Sequence, residues 1–380
     1  MMRDFDFMLT EEQRELRDLV EDFAQNEVKP ICREAEKEAR VPEELMKKAV
    51  DMGLHMVSLP EQYGGLGLDN FTYAVLREEL ARGDAGFASR VFGFGFGPLK
   101  IAGNDWQKEW VAGLMRDGGI LAFALTESVA GSNAGAMVST ARKEGDEYII
   151  NGGKTFITNG DCADVYTIFA VTDKEKGPKG GITAFLLPKD TPGFTVGPHE
   201  DKMGIRCVHT NSLFFDDMRL SSKYRLGEEG QGFQIAMKIL DESRPGTASS
   251  AVGLAQAALD EAVAYSKERV VFGKPICKHE GIGFMLADME MHTQAARQMV
   301  WGACRSADAG RTNKKLVACA KCFAADTAMM VTTNAVQVFG GNGYSREYPV
   351  EKLMRDAKIF QIFEGTNQIQ RTIISGGLTR

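Results

Sequence analysis

The chain has 380 residues, 44% hydrophobic and 26% charged, with a net charge of −7. That balance belongs to a folded globular protein, long enough for two or three domains or one large composite unit. It excludes a global basic surface of the kind that takes DNA or anionic membrane; a polyanionic ligand would need a local cluster of Lys, Arg and backbone N–H groups.

The first third reads as helix. Thr10 can N-cap the first one, with Gln13 as its capping-box partner, and Leu16, Leu19, Val20 and Phe23 recur at helical spacing. Residues 42–52 and 73–82 read as further helices. Between them, EQYGGLGLD (61–69) is a Gly-rich turn; no strand-to-helix transition surrounds it, so it does not read as a phosphate loop. The middle changes texture. EYIING, VYTIFAVT, ITAFLLP and LFFDD are short β-branched or aromatic runs punctuated by Gly, Pro, Asn and Asp, a pattern of antiparallel β. From Gly232 helix returns. Val252, Ala255, Leu259, Ala262 and Val263 share a face of a long helix expected to end near Phe272-Gly273. Helices over about 281–309 and 312–339 follow, GGNGY breaks the chain, and a last helix starts near Asn367.

The expected fold class is therefore α+β and multidomain. It has an N-terminal helical domain (1–118), a middle antiparallel β domain (119–230) and a C-terminal helical domain like a four-helix bundle (231–380). No GxGxxG opens a βαβ unit, so no Rossmann site is expected. The seven cysteines are scattered. Cys319 and Cys322 form a CxxC, but inside an Ala-rich helical run without a second CxxC or a His pair; two buried thiols are expected, and no metal. The start, MMRDFDFMLTEEQ, lacks a basic segment followed by an apolar one, and no apolar run reaches about 18 residues. A cytoplasmic protein with free thiols and no membrane span is expected.

Three segments carry a resemblance: ALTESVAGSNAGAM (124–137) with GGKTFITNG (152–160), ERVVFGKPI (268–276), and QVFGGNGYSREYPVEKLMRDAKIFQIFEGTNQIQR (337–371). Through them, and over essentially its whole length, the chain resembles the acyl-CoA dehydrogenase family, most nearly its medium-chain and butyryl-type branches. The resemblance implies that family's fold, a homotetramer with one FAD per subunit, an acyl-CoA substrate and an electron-transferring flavoprotein as acceptor. It also implies α,β-dehydrogenation to the 2-enoyl-CoA. Glu364, in IFEGTNQIQR, takes the α-proton while the β-hydride goes to flavin N5, and the thioester carbonyl is polarised by the Glu364 N–H and a flavin ribityl hydroxyl. Residue chemistry agrees. A weakly acidic C–H needs a fixed, partly desolvated carboxylate, Ile362 and Phe363 are apolar, and Gly365 lets backbone approach a ligand.

Some family members carry the base just before the Arg of the segment that here reads LDESRPG. This chain has Ser243 there, and Glu242 would point about 100° away on a helix, so Glu364 is kept. By resemblance, Leu125 and Thr126 meet the isoalloxazine, and Gly131 and Ser132 lie near the pyrophosphate or the pantetheine. Phe156, Ile157 and Thr158 form the strand beside the flavin, with Phe156 covering the ring face. Arg269, Phe272, Gln337, Gly340 and Gly341 contact adenine and pyrophosphate across a subunit interface, where one Arg per pyrophosphate is chemically sensible. Thr366 and Gln368 complete the flavin site. Ser132, Asp241, Ser243, Arg244 and Gly365 face the substrate, Arg244 on its CoA part. A surface salt bridge competes for Arg244, an ion pair for Asp241 and for Arg355-Asp356, and core packing for Phe156. The chain departs from the family pattern at Ser128-Val129-Ala130, Asn133 and Val271.

The resemblance implies that the helix over GFASRVFGFGFGPLK (86–100) forms part of the pocket wall and bears on substrate choice; here it holds four glycines, which disfavour or bend a helix, and four phenylalanines. It reads either as a pocket altered for a short, branched or cyclic acyl group, such as cyclohexanecarbonyl, or as a repacked helix. Ala88 stands where glutaryl-type enzymes carry an Arg, and Arg90 is displaced, which disfavours a dicarboxylyl group. Competing functions are an enoyl-CoA reductase in the reverse direction, an oxidase, and a non-enzymatic scaffold homologue; retention of Glu364 with the flavin set argues against the last.

Overall fold

The computed structural model describes residues 5–379. Thr10 caps α1 (Glu11–Phe23): its hydroxyl accepts the Gln13 N–H at 3.2 Å, and the Gln13 side chain accepts the Thr10 N–H at 3.1 Å. Val20 and Phe23 are buried, while Leu19, one position off that stripe, stays exposed. α2 (Cys32–Lys37) and α3 (Glu43–Asp51) lead to α4 (Asn70–Gly83), which starts three residues earlier than its apolar spacing indicates because Asp69 accepts the Thr72 N–H at 2.7 Å. α5 (Ala85–Phe92) is capped by Asp84 and stops at Gly93; Gly93 (φ 37°) and Gly95 (φ 47°) are both left-handed. The chain resumes as α6 (Gly97–Ala102) and α7 (Asp105–Arg116). The glycines thus break this helix, as their propensity demands.

One eight-stranded sheet fills the middle. Its strands are β1 (Leu121–Ala124), β2 (Thr140–Glu144), β3 (Glu147–Thr158), β4 (Val165–Val171), then, after a short α8 (Pro178–Gly181), β5 (Ile182–Pro188), β6 (Phe194–His199), β7 (Thr210–Ser221) and β8 (Arg225–Leu226). The order is β6-β7-β3-β2-β4-β5-β8, with β1 on β4. The sheet is antiparallel as expected, with one correction: β1 runs parallel to β4 over Leu121↔Val165 to Ala124↔Ile168, and β2 meets β4 in parallel at Thr140↔Val171. The β2–β3 hairpin lies between β1 and β4 in the chain and returns it to the same direction. β4 and β5 read as unbroken apolar runs because both faces are covered. Tyr166, Ile168 and Phe185 point into one core, and Phe169, Ala184 and Leu186 into another shared with Ile235, Ala236 and Ile239 of the next helix.

That helix, α9 (Gly232–Glu268), is 37 residues long. It does not run on to Phe272-Gly273. β9 (Val270–Val271) and β10 (Lys274–Pro275) form a hairpin, with Phe272 (φ 50°) and Gly273 (φ 76°) as its two-residue turn; two consecutive positive φ values mark a primed turn, which suits a right-twisted hairpin. α10 (Glu280–Asp308), α11 (Lys314–Phe339), α12 (Val350–Phe360) and α13 (Asn367–Leu378) complete the chain. The N-terminal and C-terminal helices share one hydrophobic core. α4 and α9 touch at backbone level: a Cβ on Gly253 would lie 2.1 Å from the Glu78 carbonyl oxygen. Residues 314–344 hold a window long and apolar enough to cross a membrane, contrary to expectation, yet 61% of it is buried inside the bundle. Cys322 is among those buried residues and Cys319 is half-buried, both as free thiols. Lys352 on α12 donates to Asp84 and Asp356 at 2.6 Å each, and Asp356 accepts the Ile205 N–H at 2.6 Å. Arg355 pairs with Glu36 and Glu351. Arg355 and Asp356 are thus structural ions that tie α12 to the first helices and the sheet.

Candidate active site

α9 carries Pro245 in its interior, and a proline cannot donate to the carbonyl one turn back. Ser243 and Thr247 flank it four residues apart, the spacing that puts two side chains on one helix face. Both hydroxyls donate to Glu364: Ser243 Oγ to Oε2 at 2.6 Å, and Thr247 Oγ1 to Oε1. Thr247 is fully buried; Ser243 and Glu364 are half-buried. Glu242 is exposed.

Glu364 sits on the loop between α12 and α13, where two residues in succession are left-handed: Glu364 (φ 53°) and Gly365 (φ 89°). A non-glycine residue persists there only when its surroundings over-determine it. The surroundings are specific. Arg244 Nε donates to the Glu364 carbonyl at 3.2 Å, and Lys321 Nζ and Gln370 Nε2 donate to the Gly365 carbonyl at 2.8 and 2.9 Å. Asn367 donates to the Cys322 carbonyl at 3.1 Å and to Asp326 at 2.7 Å, and Thr366 caps α13 by accepting the Ile369 N–H at 3.2 Å. Arg244 is not a surface arginine: it is buried, bonded to Asp241 at 2.6 Å, and Asp241 also takes Lys314 at 2.8 Å. No acceptor among the described residues takes the Glu364 N–H.

A second group gathers at the end of β3. A register shift between Lys154 and Ile157 turns Phe156 (φ 57°) outward, 64% exposed, with Thr158 exposed two residues on. Ile157 alternates to the other side and is buried, so it offers that face only backbone. Leu125 is also buried, and Thr126 is half-buried, its carbonyl accepting the Thr155 N–H at 2.9 Å. The loop that follows hangs on Glu127, whose carboxylate accepts Val138 N–H at 2.6 Å, Ser139 N–H at 3.2 Å and Lys154 Nζ at 2.7 Å. Burial alone would raise that carboxyl, but Lys154 and these bonds hold it below the usual range. Burial pushes Lys154 down to about 8. Gly131 and Ser132 are exposed on this loop.

A third group lines a cleft of about 480 Å³ among Arg269, Phe272, Phe339, Gly340 and Gly341. Phe272 is 92% exposed, and a Cβ on Gly340 or Gly341 would meet nothing within 4 Å. Gln337 lies exposed in the last turn of α11, and Gln368 is exposed in the first turn of α13. An arginine beside open glycine backbone and an exposed ring suits a pyrophosphate and a flat base. An exposed Phe–x–Thr face suits a flavin ring. The donor sets therefore fit a flavin dinucleotide. Within one chain the cleft is lined only from the C-terminal helices and their hairpin, with none of the β-domain candidates.

A helical–β–helical fold with a clasped carboxylate and a dinucleotide-shaped donor set defines a flavin-dependent oxidoreductase. The models for the acyl-CoA dehydrogenase N-terminal, middle and C-terminal domains match residues 10–138, 122–218 and 230–379. The chain belongs to the acyl-CoA dehydrogenase family; it is an oxidoreductase that dehydrogenates acyl-CoA with FAD. It is 45% identical over 383 residues to the short-chain-specific acyl-CoA dehydrogenase of Megasphaera elsdenii, covering 99% of this chain and 100% of that one. It superposes on the butyryl-CoA dehydrogenase structure of the same organism with a TM-score of 0.95, at 44% identity over the whole of both chains. A chain in a structure described as the electron transferring flavoprotein of Acidaminococcus fermentans gives 0.95 at 43% identity, over 98% of this chain and 99% of that one.

Sequence reasoning missed Thr247, Lys321, Gln370 and the Glu127–Lys154 pair. Two had a signal: Thr247 lies one turn beyond Ser243, and Lys321 is the only charge within the apolar run LVACAKCFAA.

Proposed function

We propose that Glu364 is the general base that removes the α-proton of an acyl-CoA thioester. The observation carrying this is its carboxylate, clasped by the hydroxyls of Ser243 and Thr247 on a loop whose carbonyls are tied down. A weak carbon acid is deprotonated fast only by a base held in reacting geometry. The Glu364 N–H, with no protein acceptor among the described residues, is available to polarise the thioester carbonyl. Bound FAD supplies the acceptor for the β-hydride. Leu125, Thr126, Phe156, Thr158, Thr366, Gln368 and the backbone of Ile157 hold its ring. Arg269, Phe272, Gln337, Gly340 and Gly341 of a partner copy hold its adenine and pyrophosphate, in a homotetramer. Gly131, Ser132, Asp241, Arg244 and Gly365 seat the substrate, with Arg244 acting through the loop backbone. Electrons leave to an electron-transferring flavoprotein; one similar chain comes from a structure described by that name. A cytoplasmic setting suits seven free thiols.

The substrate is a short or medium, branched or cyclic acyl-CoA. Phe92 packs edge-on to Tyr73 at 5.4 Å, and Tyr73 abuts Gly246, the residue before Thr247 on α9; this supports a pocket narrowed by two rings. Phe87 and Phe96 go instead to the core, against Phe23 and Tyr63. Arg90 is committed to Asn159 at 3.2 Å and to Cys162, and Ala88 is buried, so neither of these two positions offers a free cation to a distal carboxylate. The test is an anaerobic screen of butyryl-, hexanoyl-, octanoyl-, isobutyryl-, glutaryl- and cyclohexanecarbonyl-CoA, followed by flavin bleaching. Fastest bleaching by a short, branched or cyclic thioester is expected. Fastest bleaching by glutaryl-CoA, or a colourless protein that takes up no FAD, overturns the reading.

A further inference from the structure

Among the described residues, Lys321 is the one buried cation that bonds the loop of the base and that the chemistry above does not use. It stands on α11, is 1% exposed, and sits in a helix whose buried side chains are mostly alanine and valine. A buried ammonium is costly unless its protons are taken. Here they go to the Gly365 carbonyl at 2.8 Å and to Asn367 Oδ1 at 3.1 Å. Gly365 is the residue next to the base and the second of the two left-handed positions. Arg244 holds the preceding carbonyl from α9. Two cations on two helices thus each grip one of two consecutive carbonyls, so the peptide planes on either side of Gly365 are both held. Gln370 shares the Gly365 carbonyl, so the loop keeps one donor if Lys321 is lost.

We propose that Lys321 is a positioning residue for the base: while protonated it holds the Gly365 carbonyl, and with it Glu364, in reacting geometry, and its grip loosens when it gives up its proton. This rests on the reading of Glu364 as the base. A charged donor makes a hydrogen bond roughly twice as strong as a neutral one, so the loss is a weakening rather than a release. The groups facing Lys321 are Glu364 from the loop, Arg244 from α9, and Cys322 and Asp326 from its own helix, with Arg371 of α13 paired to Asp326. Burial pushes the ammonium down to about 8, the Glu364 charge opposing that drop. The loss of grip is therefore expected near pH 8, below the range of a free lysine.

The test is the rate of flavin reduction by saturating substrate in the FAD-loaded enzyme, measured by anaerobic stopped flow from pH 6 to 10. It is run on wild type, Lys321→Gln and Lys321→Met, with substrate Kd from the same traces. Wild type is expected to lose rate several-fold on an alkaline limb near pH 8. Lys321→Gln keeps a donor without a titrating charge, so the limb disappears. Lys321→Met loses about tenfold or more in rate at every pH with Kd nearly unchanged. A wild-type profile flat across pH 8, the same limb persisting in Lys321→Gln, or wild-type rates in Lys321→Met each overturn the proposal, and the first needs no variant to fold. Glu364→Gln, run alongside, separates the two claims: if it stays fast, the base assignment fails, whatever the Lys321 variants do.

Discussion

The Ser243 hydroxyl donates to Glu364 Oε2 at 2.6 Å, from the helix position where a base could equally have been placed. Thr247 takes the other oxygen from one turn further along the same helix. The carboxylate is thus fixed at both oxygens by residues that carry no charge. This orients it without giving it a competing ion-pair partner.

Thr247→Val and Ser243→Ala each remove one of these bonds while leaving most of the local packing. A hydrogen bond to a charged group contributes about 1.5–3 kcal/mol, so each variant should slow flavin reduction roughly tenfold to a hundredfold. The double variant should fall short of the product, because both bonds restrain one group. Single-turnover rates measure this; unchanged rates in Thr247→Val would show that the clasp is incidental.

Gly365→Ala should be worse than its size suggests. Gly365 sits at φ 89°, and a Cβ there would lie 2.8 Å from Gln370 Nε2. Gln370 could swing away only by giving up its bond to the Gly365 carbonyl. Left-handed strain of this kind costs roughly 1–3 kcal/mol. The expected outcome is a lower Tm and a larger loss in kcat than in substrate affinity, read from melting curves and steady-state kinetics.

The Glu127–Lys154 pair has a pH signature. Both side chains are almost wholly buried, and breaking such a pair from one side costs about 3–5 kcal/mol. Glu127 is held below the usual carboxylate range in the fold. Its contribution is therefore present above the ordinary carboxylate value and lost as pH falls through the folded one. Wild-type Tm should drop more steeply than that of Glu127→Gln on acidification below about pH 4, and Glu127→Gln should release FAD more readily at neutral pH. Parallel acid curves would remove this pair from the account.

Much of this was legible in the sequence, and the rest was hidden for identifiable reasons. The capping box at Thr10 and Gln13 is local chemistry and reads directly. The glycines at 93 and 95 announced the broken helix. The end of α9 was misplaced because Val270 and Val271 continue its apolar pattern, while the hairpin is set by the positive φ of Phe272 and Gly273. The parallel placement of β1 depends on where α7 delivers the chain, which no four-residue pattern encodes. The motif singles out Glu364 and Ser243, but Thr247 and Lys321 bond to that loop across 117 and 44 residues of sequence. Only the folded chain brings those pairs together.

The central claim is tested most directly by Glu364→Gln in the FAD-loaded enzyme, mixed anaerobically with its best thioester substrate, with Glu242→Gln as control. The account predicts that Glu364→Gln binds FAD and substrate normally and bleaches the flavin slower by several orders of magnitude, while Glu242→Gln behaves as wild type. Near-normal bleaching in Glu364→Gln, or collapse in Glu242→Gln instead, would contradict it.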